Sequence, residues 1–551
     1  MQFTIGLKKT ALFAVACLFA TFYHADSMKE TSASTVTPEN SLVTASNTQK
    51  EEGSSLYPIY VEKDGHILYG YIDGTGSVVI NPKYTTARYF SDGLAVVNQD
   101  DSFLVINTKG KVILKTENYL NDFHNGLARF NDSKTYKSGY INTEGKIVIK
   151  ATYDFAGNFG KDNTAIVSKS GKFYRINSKG KVLKTYSLTN KNYYYDITDD
   201  GYAIYTNTKT YLMGVKDLNG KTILKSSYSQ ITYLGNGLFG VKKKLSNTEG
   251  YLTSIKPSAI FDKNGKQLTP YKLYDLSVYN NNYASYTDSN YTYLIDRKGN
   301  KVASFPKQEG RGTLTVLGNV VQAEIDNILY YLTMDGSLIW KIPDVTTLSS
   351  GITVHTVKVK PNKYDVIYYP TLEGLSNPDI QTQINNKLKN LFTSDRMKLT
   401  TKDELMVDDN FTIEQIKDLL LVCKTGYDYP IGAAHGAPIR IYYFIDTKTG
   451  IFYEFKDLFK KNCNYINALD NIVREEMKEQ EKKDGGIYFT YEGTYITEDQ
   501  FFYLSNDTLK VYFDSGAIAP YAAGFPEFEI PFSKITNLID TDGDFWKSFH
   551  E

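Results

Sequence analysis

The chain has 551 residues, a length that suits two or three domains, and it balances 62 lysines and arginines against 62 acidic residues. A formal net charge of zero gives no broad electrostatic basis for binding nucleic acid or an anionic membrane. The three cysteines include no C-x-x-C pair, so a zinc site has no support and no cofactor motif appears.

Lys8 and Lys9 precede an apolar stretch from Ala11 to Tyr23, whose 13 residues suit the core of an export signal and fall short of a spanning helix. Residues 1–25 therefore read as a signal peptide, with two endings open. One is cleavage after Ala25, where Tyr23 fits poorly. The other is lipid attachment at Cys17, closing Ala14-Val15-Ala16-Cys17, although Leu18-Phe19-Ala20 carries the apolar run past it. The expectation is an exported protein, extracellular or at the cell surface, that touches a membrane only through a possible anchor at Cys17. Residues 26–55 are rich in Ser, Thr, Glu and Asn and read as a disordered linker, because they hold too little apolar surface to offset ordering. In an exported chain Cys423 and Cys463 have two readings, a disulfide or separate thiols.

From residue 56 a short phrase recurs every 34 to 45 residues and ends on Gly76, Gly110, Gly145, Gly180, Gly220, Gly265, Gly299 and Gly336. The first copies are Asp73-Gly74-Thr75-Gly76 and Asn107-Thr108-Lys109-Gly110; the last is degraded to Thr333-Met334-Asp335-Gly336. An Asp or Asn side chain can bond backbone amides further along, and a fourth-position glycine accepts positive φ, which together make a hairpin turn with a glycine bulge. β-Branched and aromatic flanks such as Tyr71-Ile72, Tyr140-Ile141 and Val78-Val79-Ile80 fit strands. A second signal, Phe90-Ser91-Asp92-Gly93-Leu94 and Phe123-His124-Asn125-Gly126-Leu127, lies upstream of several turns. Each unit thus holds three or four short strands, and self-similarity at this period means stacked units.

Tyr69-Gly70-Tyr71-Ile72-Asp73 through Tyr84, and Ser138-Gly139-Tyr140-Ile141-Asn142 through Tyr153, resemble the WG repeats of bacterial surface and secreted proteins. The resemblance covers about residues 57 to 340 and weakens along the array. Tyrosine takes the place of the naming tryptophan, since Trp340 and Trp546 are the only two in the chain. The fold class expected is an all-β repeat domain over 56–345, a β-propeller of about seven or eight blades with an open β-solenoid as alternative, followed by an α+β domain. The 46 tyrosines suit strands, and rings on a propeller face would also suit stacking on sugars.

After Trp340 the phrase stops. Ile380, Ile384, Leu388 and Leu391 follow Asn377-Pro378 at helical spacing, and Ile466, Leu469, Ile472, Val473 and Met477 make a second amphipathic helix. Strands are expected at Leu419–Lys424, Ile439–Asp446, Phe501–Leu504 and Leu509–Phe513, an α+β module over 352–545. Gly432-Ala433-Ala434-His435, Tyr442 to Gly450, Asp457-Leu458-Phe459 and Ile518-Ala519-Pro520-Tyr521-Ala522-Ala523-Gly524 resemble an extracytoplasmic module of the lysozyme-sensing anti-sigma factor and of some peptidoglycan deacetylases. The resemblance implies an envelope location, with peptidoglycan or a muramidase as partner. It carries over neither a deacetylase domain nor sigma-factor control.

Chemistry is sparse. His24, His66, His124, His355, His435 and His550 are scattered, and no paired-ligand motif, nucleophile elbow or phosphate loop occurs. His435, after a small-residue turn, and Tyr521, in its Pro-Tyr-Ala-Ala-Gly bend, are the candidate ligand-binding residues beside a structural reading for each. Asp540, Asp542, Asp544 and Glu551 have calcium-loop spacing, but Phe545 stands where the loop needs glycine, so a terminal acidic turn is the better reading and no metal is expected. No catalytic residue is assigned. The sequence points to non-catalytic recognition of peptidoglycan, another glycan or a wall-degrading enzyme. A glycan hydrolase using carboxylates of the C-terminal module and a protein-interaction scaffold are the alternatives.

Overall fold

The computed structural model describes residues 55–551 apart from 64–65, 100–101, 190–192, 245–255, 432, 434, 485–486 and 490–492. Residues 1–25, read above as a signal peptide with Cys17, and residues 26–54, read as a linker, lie outside the described residues. The protein is mostly β, in many small antiparallel sheets, with an α+β region at the C-terminal end.

Residues 57–341 form seven antiparallel sheets in chain order. The first has three strands, Tyr57–Lys63, His66–Ile72 and Val78–Tyr84. The next three each have four. The fifth has six, because the long strand Thr222–Gly235 pairs with Met213–Asp217 through its first half and with Leu238–Lys243 through its second. It therefore holds two repeats, and eight turn phrases are spread over seven sheets.

The turn chemistry is local. The Asp73 carboxylate accepts from the amides of Thr75 at 2.8 Å and Ser77 at 3.1 Å, and Asn107 accepts from Lys109 and Lys111, each at 3.0 Å. The fourth-position glycines sit at positive φ throughout, from 74° at Gly110 to 91° at Gly220.

Each sheet shares a core with its neighbour. Tyr71, Ile80 and Ala95 pack between the first and second, and Val96, Leu120 and Ile141 between the second and third. The same arrangement joins the last sheet to the first, where Val320, Leu329 and Tyr331 pack on Tyr57, Ile59 and Ile72. Two further contacts repeat in register. A Cβ on Gly110 would rest on the Ile80 side chain of the preceding sheet, one on Gly180 would rest on Ile149, and one on Gly76 would lie 2.4 Å from the Ile339 carbonyl of the last sheet. Where a tyrosine stands two residues before the turn, its hydroxyl donates to a backbone carbonyl of the following sheet: Tyr71 to Arg88 at 2.7 Å, Tyr140 to Gly157 at 2.6 Å. Tyr331, in the last sheet, donates to Pro58 of the first at 2.6 Å.

The C-terminal region is built on a seven-stranded sheet running from Val345–Thr347 to Phe452–Tyr453, antiparallel except where Val366–Glu373 meets Leu405–Ile416. Its centre is the strand Leu419–Pro430, whose apolar start faces both ways. Leu420 and Val422 pack with Ile384, Leu388 and Phe392 of the helix Pro378–Thr393, while Leu419 and Leu421 pack with Leu469, Val473 and Met477 of the helix Tyr465–Asp484. Asn377 caps the first helix by accepting from the Asp379 amide at 2.9 Å, ahead of Pro378 at the first helical position. A three-stranded sheet, Phe502–Leu504, Thr508–Tyr512 and Glu527–Pro531, completes the second core.

Asp326, in the last repeat, ties the two regions together. Its carboxylate is almost wholly buried and receives Lys358 and Lys360, the latter at 2.9 Å, and its carbonyl accepts the Tyr368 hydroxyl at 2.6 Å. The two cysteines are separate thiols: Cys423 is buried in the central strand, and Cys463 reaches the Leu538 carbonyl at 3.7 Å. At the C-terminus Phe545 is a core residue, stacked on Tyr453 with centroids 4.5 Å apart, and the helix Asp544–His550 begins there.

Candidate functional site

The strands Leu419–Pro430 and Ala437–Asp446 form a hairpin whose loop carries His435, with Asp428 opposite Ala437 at its end. Above it lies the loop between Tyr512 and Glu527. There Pro520 leads into one short 3₁₀ turn, Tyr521–Ala523, and Gly524 leaves it at φ 64°. The two loops meet through the sequence-chosen residues: the His435 and Tyr521 rings lie 4.3 Å apart, tilted by 30°. Backbone bonds brace the pair. The Tyr521 hydroxyl donates to the Gly436 carbonyl, the Gly436 amide donates to the Tyr427 hydroxyl at 2.8 Å, and His435 Nδ1 lies 3.1 Å from the Gly436 carbonyl. Gly436 admits no side chain, because a Cβ would stand 2.5 Å from the Asp428 carbonyl and 2.6 Å from the Tyr427 ring. Burial raises the pKa of the Tyr521 hydroxyl, with Tyr427 adding to the effect.

A buried charge lies further along the same hairpin. Arg440 is 3% exposed, and its guanidinium sits between the rings of Tyr512 and Phe525, 4.4 Å from each centroid. Its Nη1 is 2.6 Å from the Glu527 carboxylate, which also accepts from Tyr503 at 3.2 Å. Nε and Nη2 of Arg440 have no hydrogen-bond partner among the described residues, and neither does the buried Ser515 hydroxyl. Asp514 opens onto solvent beside this group; burial raises its carboxyl pKa and Arg440 opposes the rise. The Tyr512 hydroxyl closes the arrangement by donating to the Arg440 carbonyl at 2.8 Å.

Among the described residues His435 has no ion pair and no bond to a carboxylate; its contacts are the Tyr521 ring and the Gly436 carbonyl. The remaining histidines stand apart. His124 is buried, which lowers its pKa; His355 pairs with Glu373 at 2.8 Å; His550 stacks on Trp546 at 3.7 Å. His24 lies outside the described residues, and only the backbone of His66 is described. Among the described residues no group of three or more His, Cys, Asp or Glu side chains is placed to hold a metal.

Sequence reasoning missed Tyr427, Arg440, Tyr512 and Glu527. One signal was available, since Arg440 is the one charge in the strand Ala437–Asp446 before its closing Asp446.

Comparison with known proteins finds family matches in two parts of the chain. Residues 456–533 match the family model described as a protein of unknown function, DUF3298, and residues 69–102 and 139–173 match the WG containing repeat. The chain carries WG repeats followed by a DUF3298 domain. It is 28% identical over 214 residues to the anti-sigma-V factor RsiV of Bacillus subtilis, a match covering 36% of this chain and 74% of RsiV. It is 25% identical over 147 residues to the peptidoglycan-N-acetylmuramic acid deacetylase PdaC of the same organism, covering 26% of this chain and 31% of PdaC. A crystal structure of a DUF3298 family member from Bacteroides fragilis aligns at 17% identity with a TM-score of 0.28, covering 36% of this chain and 97% of that one. Among the described residues no helix is long and apolar enough to cross a membrane.

Proposed function

We propose that this protein is a non-catalytic recognition protein of the cell envelope, which binds peptidoglycan or an enzyme that degrades it through the His435–Tyr521 face of its C-terminal module. The observation that carries this reading is the braced ring pair: an exposed and a half-exposed ring, held by backbone bonds and without an acid–base partner among the described residues, on the hairpin that also carries the buried Arg440. Similarity to a peptidoglycan deacetylase supports the wall as the setting. The apolar stretch Ala11–Tyr23 supports export.

In the same reading the eight repeats close into a propeller of eight blades that presents this module rigidly. Support comes from the last sheet meeting the first through kinds of contact also seen between inner sheets: a shared core, a turn glycine as at Gly110 and Gly180, and a tyrosine hydroxyl bond as at Tyr71 and Tyr140. A propeller leaves only short, protected strand edges.

The test is sedimentation of the full chain with purified peptidoglycan, set beside binding to immobilised lysozyme. Tyr521→Ala and His435→Ala should each weaken binding to one of these targets by about tenfold, a 1.4 kcal/mol loss, with no reducing ends released. Release of reducing ends that is lost on replacing one carboxylate would replace this reading with the hydrolase. Binding to neither target would end it.

A further inference from the structure

The seam between the first and last sheets holds a second polar group that the C-terminal site does not use. Tyr60 and Tyr69 are register partners on adjacent strands of the first sheet, so both rings leave the same face, with centroids 5.7 Å apart at 53°. Gln322 and Glu324 are two residues apart on the strand Val320–Ile325 of the last sheet, so they also share a face. Tyr89, from the second sheet, crosses to this face and donates its hydroxyl to Gln322 Oε1. Three tyrosines from the first two sheets and an exposed carboxylate of the last therefore stand together at the seam.

The carboxylate is the unusual member. Among the described residues no hydrogen bond or ion pair reaches Glu324, and it keeps open surface although its surroundings are crowded enough to raise its carboxyl pKa. Burial is the cause of that rise. The nearby cations are committed elsewhere: Lys358 and Lys360 to Asp326, Arg311 to Asp275 at 2.8 Å. Burial and then the Glu324 charge hold the hydroxyls of Tyr60, Tyr69 and Tyr89 above their ordinary pKa, so all three stay neutral with their ring faces negative. Ring faces and an unpaired carboxylate both attract positive charge, and a sugar hydroxyl would satisfy neither fully.

We propose that Tyr60, Tyr69, Tyr89 and Glu324 form a receptor for an ammonium group at the seam of the repeat array. A primary amine and a methylated ammonium share the chemistry, and the experiment separates them. Calorimetric titration of the full chain would use choline, n-pentylamine and 3,3-dimethylbutan-1-ol, the last being the neutral carbon isostere of choline. Saturable binding of at least one cation is expected. The neutral isostere should bind at least about tenfold more weakly than choline if choline is the better cation, because it keeps the shape and drops the charge. Preference for pentylamine would identify a primary amine, such as a wall peptide carries.

Glu324→Gln keeps the shape and should weaken the bound cation about tenfold. Tyr69→Leu, which removes one ring, should weaken it as well and decides the matter if the first variant melts early. His435→Ala should leave this binding unchanged, which keeps the site distinct from the one on the C-terminal module. Equal binding of the neutral isostere and choline where choline is the better cation, unchanged cation binding in Glu324→Gln and Tyr69→Leu, or no saturable binding of either cation would overturn the proposal.

Discussion

Tyr331→Phe removes one oxygen atom and asks whether the ends of the repeat array are joined in solution. In the structure its hydroxyl donates to the Pro58 carbonyl at 2.6 Å, across 273 residues of chain, and both residues are buried. The loss strands a buried carbonyl, which costs about 1–3 kcal/mol. Tyr140→Phe is the matched control: its hydroxyl reaches Gly157 at the same 2.6 Å, but between neighbouring sheets only 17 residues apart. The two variants should lose similar stability in urea unfolding followed by circular dichroism. A second pair separates backbone strain from contact. Gly76 and Gly110 both sit at positive φ, 88° and 74°, so alanine costs each about 1–2 kcal/mol. Only at Gly76 would the new Cβ also press on a backbone oxygen of the last sheet, at 2.4 Å, whereas at Gly110 it meets the end of the Ile80 side chain at 3.5 Å. Gly76→Ala should therefore be the worse of the two. A Tyr331→Phe variant as stable as the parent, beside a Tyr140→Phe variant that is not, would refute the closed array.

Three further outcomes follow from buried groups. Asp199, whose carboxylate accepts the Asn158 amide at 3.0 Å between the fourth and fifth sheets, has its pKa raised from 3.8 to about 6, chiefly by burial. The folded state then holds this proton more tightly than the unfolded chain, so the group's contribution is full below pH 3.8 and is lost as pH rises through about 6. Asp199→Asn should gain about 1–3 kcal/mol on the parent between pH 4 and pH 7.5, read as the difference between two pH–stability curves. Asp326→Asn leaves Lys358 and Lys360 without their shared carboxylate, and a cost of about 3 kcal/mol is expected, with faster proteolysis between Lys341 and Val345. Tyr521→Phe keeps the ring against His435 and drops its bond to Gly436, so stability should fall by about 1 kcal/mol while wall binding falls less than in Tyr521→Ala.

The candidate site on the C-terminal module was half legible. His435 and Tyr521 stood out because each sits in a turn of small residues, and the fold brings them within 4.3 Å. Their supports were not legible. Tyr427 reaches Gly436 from nine residues away, Tyr521 from 85 and Tyr512 reaches Arg440 from 72, and no local pattern encodes such meetings. The proposed ammonium site was less legible still. Tyrosine at the place of the family's tryptophan drew notice at Tyr69, but nothing in the chain announced that Glu324 would stand beside it.

The amino-acid sequence alone determined the eight hairpins, because each is decided within five residues: a side-chain oxygen bonds amides two and four positions on, and a glycine supplies the one conformation that other residues resist. It likewise determined the helix behind Asn377-Pro378 and the change of architecture after Trp340. Only the tertiary structure decided that the last sheet lies on the first, that two repeats share one six-stranded sheet, that Arg440 becomes a buried charge, and that Glu324 stands beside tyrosines of the first sheet. Those outcomes depend on which distant surfaces exclude water together, and apolar burial has no direction along the chain to be read.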